Sequence, residues 1–188
     1  MLEDLTFREK PLSSDMQILL NEYPREAWEG HPNFKNATRQ WLGAHQMFRR
    51  LSEIVRGDTE QYLDKKVEAE KYASRLSVYG SRLVGNLHGH HGWEDYEFFP
   101  ELSSADQRFD SGLEILEKDH EVLDTVLDRF TKSANSSIQM LQMDEAGARD
   151  FVGEVHEASE AVEKLLARHL VDEEELAVPI IIHHKLRG

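Results

Sequence analysis

The sequence predicts an all-α protein, an up-down-up-down four-helix bundle preceded by an N-terminal arm. Three observations predict it. Apolar residues recur at three- and four-residue steps along four long segments of the 188-residue chain. Capping residues, glycine and proline punctuate those segments. No alternating strand pattern and no Asn-Gly hairpin signal competes with the helical period. The length suits one domain around a single core.

Residues 1–32 read as an arm, with one short helix over "SDMQILLNEY" before Pro24. Residues 33–180 hold the bundle. Segment A runs from about Phe34 to Arg56; Asn33 can cap its first turn, and Gly57 marks its stop. Segment B begins after Asp58 and ends at Pro100. Segment C opens with Ser111-Gly-Leu-Glu114, the spacing of a capping box, and fades in the polar run "TKSANSS". Segment D starts near Asp144 and runs to Pro179, leaving residues 181–188 as a tail. Its isoleucine run 180–182 suits tail packing or a dimer contact.

Composition narrows the function. A net charge of −14 and a pI of about 5.1 argue against nucleic acid or an anionic membrane as partner. No apolar run approaches the ~20 residues of a membrane span. "MLEDLTFREK" has neither the basic start nor the apolar stretch of a signal peptide. The expectation is a cytoplasmic protein, monomer or homodimer. Cysteine is absent, which excludes disulfides, thiolate metal sites and cysteine nucleophiles. Ten histidines then need a place.

The phase of each helix supplies one. In segment D, Val155, Val162, Leu165, Leu166 and Leu176 define a stripe with His169 and Glu173 in its middle, one turn apart. In segment B, Tyr72, Leu76, Tyr79 and Leu83 define the stripe that His90 and Glu94 extend. Segment C places His120 among Leu113, Leu116, Leu123 and Leu127; segment A places His45 beside Trp41 and Phe48. A third His-x-x-x-Glu pair, His156–Glu160, lies about 120° off the stripe and reads as solvated surface. His31, His88, His183 and His184 also read as non-ligands. An inward glutamate without a partner would be costly. Ten residues separate His90 from Pro100 and Asp110 from His120, so these two histidines meet at one level across a hairpin.

Four imidazoles and two carboxylates converging between helices outline a dinuclear metal site. Imidazole suits iron, zinc, copper or nickel, and a glutamate can bridge two ions with its two oxygens. Two histidines per ion plus two bridging carboxylates leave open positions on an octahedral ion, whereas zinc would be closed in a tetrahedron.

The order His45, His90-x-x-x-Glu94, His120, His169-x-x-x-Glu173 resembles the hemerythrin-like HHE cation-binding family. So do "HHGWEDYEFFP" and "HLVDEEELAVP", in which a His-x-x-x-Glu is followed by a second acid and a proline. The resemblance covers roughly residues 34 to 180. It implies two non-haem iron ions, oxo- or hydroxo-bridged, although other divalent metals also fit. Glu94 and Glu173 would bridge them, and His45, His90, His120 and His169 would be terminal ligands. Asp124 stands where the oxygen-carrying members have a fifth histidine, which argues against simple reversible oxygen carriage. Asp124 and His91 are the further candidate ligands, His91 being rotated about 100° from His90. The expected function is to bind or sense O2, NO or H2O2. The alternatives are an enzyme acting on peroxide or NO or in iron homeostasis, and a metal-free helical interaction module.

Overall fold

The computed structural model describes Arg8 and residues 10–187, so part of the expected arm lies outside the described residues. Among them there is no strand. Four long helices are packed as a bundle: α1 (Asn36–Leu63), α2 (Ala69–Trp93), α4 (Asp110–Met143) and α5 (Arg149–His184). The short α3 (Phe99–Ala105) lies between α2 and α4. The N-terminal segment carries three 3-10 turns, Ser14–Met16, Ile18–Asn21 and Arg25–Ala27. No helix of the described residues is long and apolar enough to cross a membrane.

The chain forms two compact units, each built from stretches of all four long helices. One comprises Met47–Gly89 and Leu123–Leu166. Its helix ends differ from those expected, for physical reasons. α1 passes through Gly57 because the next turns have something to bury: Thr59 is fully buried, bonding the Val55 carbonyl at 2.8 Å and meeting the Tyr72 hydroxyl at 3.2 Å. That burial outweighs the ~1 kcal/mol a mid-helix glycine costs. The helix ends instead where Lys65 N–H bonds the Tyr62 carbonyl and Lys66 N–H the Gln61 carbonyl. This is a Schellman stop with Lys65 at φ 59°, in the left-handed region. α4 likewise continues through "TKSANSS", because Ser133, Ala134 and Ser137 face inward and are buried.

The other unit comprises Met1–Gln46, His90–Val122 and Ala167–Gly188. Leu12, Leu19, Trp28 and Phe34 from the N-terminal segment share one apolar core with Phe98, Phe99, Phe109 and the isoleucines 180–182. That core explains why α5 does not stop at Pro179. Interior proline costs ~3 kcal/mol, whereas burying three isoleucines returns ~5–9 kcal/mol. Gly112 allows close approach of α4 to α5: a Cβ there would meet Leu176 at 3.0 Å.

α2 does not stop at Pro100 either. It widens into a π turn over Glu94–Phe98, where the Phe99 N–H bonds the Glu94 carbonyl five residues back, and then continues as α3. Proline, having no N–H to give, fits just after a break in the ladder. The π turn begins at Glu94 itself.

Candidate metal centre

All the inward histidines and both glutamates fall within the unit that holds the N-terminal segment. They form two groups. In the first, His45 of α1, His90 of α2, Glu94 at the π turn and Glu173 of α5 each present one donor atom, all within 4.8 Å of one another. In the second, His91 of α2, His120 of α4 and His169 of α5 do the same. Every one of these is buried except His90, whose side chain is 9% exposed.

The carboxylates lie between the groups. Glu94 Oε1 is 2.8 Å from His90 Nε2 and 3.9 Å from His45 Nε2, while its Oε2 is 3.7 Å from His120 Nε2. Glu173 Oε2 is 3.5 Å from His45 Nε2 and 3.6 Å from His169 Nε2. Each glutamate therefore reaches at least one histidine of each group. That is the placement a bridging ligand needs.

The imidazoles point Nε2 inward. His45 Nε2 faces His90 Nε2 at 2.9 Å, and His120 Nε2 faces His169 Nε2 at 3.1 Å. Their Nδ1 atoms turn onto acids: His45 Nδ1 lies 3.0 Å from Glu174, His120 Nδ1 2.7 Å from Asp95, and His169 Nδ1 3.5 Å from Asp119. An Nδ1–H donated to a carboxylate fixes the tautomer and leaves the Nε2 lone pair for a cation. Two such lone pairs 3.1 Å apart repel each other unless something positive lies between them.

The acids agree. Neither Glu173 oxygen, nor Glu94 Oε2, has a hydrogen-bond partner among the described residues, although both side chains are fully buried. Burial opposes the Glu94 charge, but His45 and His90 outweigh it and hold the carboxyl well below the usual range. Burial, then the neighbouring Glu94 charge, push Glu173 well above it. Burial also lowers His120 and His169, which keeps them neutral, the form that binds metal. Trp41 Nε1–H donates to Glu94 Oε1 at 2.7 Å, and its ring lies 4.3 Å from that of His45.

The hemerythrin HHE cation binding domain matches residues 36–181, more than half of the chain. The chain belongs to the hemerythrin HHE family. No curated protein and no solved structure matches it at a significant level.

Within this HHE domain, the structure gathers the six residues of the inward pattern and His91 with them. The rotation of about 100° that separates His91 from His90 aims the two neighbours at different groups. Asp124 belongs to neither group: its side chain is 55% exposed and lies 3.4 Å from His88. His156 pairs with Glu60 at 3.4 Å and Glu160 at 3.7 Å. Sequence reasoning missed the acids behind the imidazoles. A signal existed for two of them, because Asp95 and Glu174 are the second acids of the two His-x-x-x-Glu-acid signatures.

Proposed function

We propose that the chain is a non-haem di-iron protein that binds or senses a small ligand (O2, NO or H2O2) at a carboxylate-bridged centre. The observation that carries this reading is the direction of the donors. Imidazole Nε2 atoms and two carboxylates with three unsatisfied oxygens converge, while three Nδ1 atoms are turned outward onto acids. A metal-free helical module gives no account of two fully buried glutamates with three unsatisfied oxygens.

His45, His90, Glu94 and Glu173 would hold one ion; His91, His120 and His169, with the same two glutamates, would hold the other. Donors of nitrogen and oxygen with no thiolate suit iron among the borderline metals. Bound iron would supply open coordination positions and redox chemistry. The two groups are unequal, with two histidines against three, so the ion of the first has more room for an outside ligand. His90, the one partly exposed donor, lies on that side. Trp41 orients Glu94, Asp95 and Glu174 hold two imidazoles in the binding tautomer, and Asp119 faces the Nδ1 of a third at 3.5 Å.

The test is to express the protein with iron, reduce it without air, then admit air, NO or peroxide while recording the visible spectrum. Iron near two per chain and a ligand-dependent absorption change are expected. Colourless protein with substoichiometric iron refutes the proposal.

A further inference from the structure

α5 carries four consecutive acids, Asp172, Glu173, Glu174 and Glu175, and the first three are buried. Glu173 points into the centre. The other three are met from the N-terminal segment. The Arg8 guanidinium pairs with Asp172, which also accepts from the Leu12 N–H at 3.3 Å and from Arg168 of α5 at 2.6 Å. Arg25 donates to Glu174 at 2.6 Å and lies 3.6 Å from Glu175, which Gln17 reaches at 3.4 Å.

Two of these contacts continue inward. Glu174 takes Arg25 on Oε2 and His45 Nδ1, at 3.0 Å, on Oε1. Asp119 takes Arg8 on both oxygens, and its Oδ2 lies 3.5 Å from His169 Nδ1. One arginine of the segment thus stands behind a histidine of the first donor group, and one behind a histidine of the second. Each acts through a single carboxylate that is itself held on both sides.

We propose that Arg25 and Arg8 are positioning residues of the metal centre, and that the N-terminal segment is a strap whose docking sets the orientation of His45 and His169. The proposal rests on the metal-binding reading above. Its physical content is simple. A carboxylate that must serve an imidazole Nδ1–H is fixed in place, and kept from turning to solvent, by an arginine on its other side. Apolar anchors hold the strap: Leu12, Leu19 and Trp28 are each at most 4% exposed. Loss of one arginine therefore leaves the segment docked: Asp172 keeps Arg168 and the Leu12 N–H, Glu175 keeps Gln17, and the carboxylate behind the histidine loses its arginine.

The experiment uses the full chain loaded with ferrous iron and follows the rate of iron loss to a ferrous chelator, with the visible spectrum recorded on a parallel sample after air is admitted. Arg25→Ala and Arg8→Ala should each release iron about tenfold faster and shift the absorption band, the size usual for loss of a group behind a metal-bound imidazole. Arg25→Lys should recover most of the wild-type rate. Arg39→Ala is the control, since Arg39 holds Glu29 of the same segment at 3.0 Å but touches none of these acids; its rate and spectrum should match wild type. If both arginine variants release iron at the wild-type rate with an unchanged spectrum, the proposal is overturned while the metal-binding reading stands. If wild-type protein takes up no iron, both fall together. Should Arg25→Ala fail to fold, Glu174→Gln decides: it keeps the shape and removes the charge between Arg25 and His45, and unaltered release from it overturns the proposal.

Discussion

Trp41→Phe isolates one hydrogen bond of the centre. The substitution keeps an aromatic ring against His45 and Phe98, at centroid distances of 4.3 and 5.3 Å in the native protein, and removes the N–H that Glu94 Oε1 accepts at 2.7 Å. As a bridging ligand Glu94 would present one oxygen to each donor group, and its rotation about the terminal bond is what the indole restrains. A hydrogen bond to a charged group contributes ~1.5–3 kcal/mol. At about 1.4 kcal/mol per decade, iron affinity should fall by roughly 10- to 150-fold. The assay is a competition titration of ferrous iron against a chelator of known affinity, with unfolding of the iron-free protein measured in parallel to remove any general loss of stability. An affinity within about threefold of wild type, less than ~0.7 kcal/mol, would show that the indole does not restrain a bridging carboxylate.

Three other outcomes are expected from the same geometry. His91→Ala should lower the iron retained after gel filtration from two ions per chain toward one, because it removes one of three imidazoles in the second group and none in the first; full retention would place His91 outside the centre. Asp124→Ala should leave iron content and spectrum unchanged and alter stability by less than ~1 kcal/mol, as expected of an exposed pair with His88; a loss of iron would restore Asp124 as a ligand. Burial pushes the Tyr72 phenol up to about 12, against bonds to Thr59 and Ser137 that work the other way. Its neutral form is favoured in the fold, so this stability is intact below pH ~10, the unfolded phenol value, and is lost as pH rises toward ~12, by roughly 2–3 kcal/mol in all. Tyr72→Phe should therefore unfold with a flatter alkaline profile than wild type, and parallel profiles would contradict the assignment.

The inward histidines and glutamates were legible because a helix fixes phase: His45, His90, His120 and His169 fall on apolar stripes, and a glutamate one turn after two of them has nowhere else to point. His91 was harder to read for the same reason. A single stripe per helix has no room for adjacent residues, yet His90 and His91 enter different donor groups. The acids Asp95, Asp119 and Glu174 were not legible as partners from periodicity, which reports which way a side chain faces and not what it meets; only the repeated second acid of the two signatures pointed to Asp95 and Glu174. The helix ends failed on energetics. Gly57, Pro100 and Pro179 are local stop signals, and each is overridden by its surroundings: Gly57 by buried Thr59, Pro100 by the π turn before it, and Pro179 by three buried isoleucines. The true end of α1 is a left-handed lysine, which no glycine announces.

On the function proposed above, seven side chains close around two ions at one level of the bundle. Crystals grown with ferrous iron, measured on both sides of the iron absorption edge, test it most directly. Two anomalous peaks roughly 3.5–4 Å apart are expected, one among His45 and His90 and one among His91, His120 and His169, with Glu94 and Glu173 touching both. A single peak, or none with the imidazoles bonded only to one another, would contradict the account.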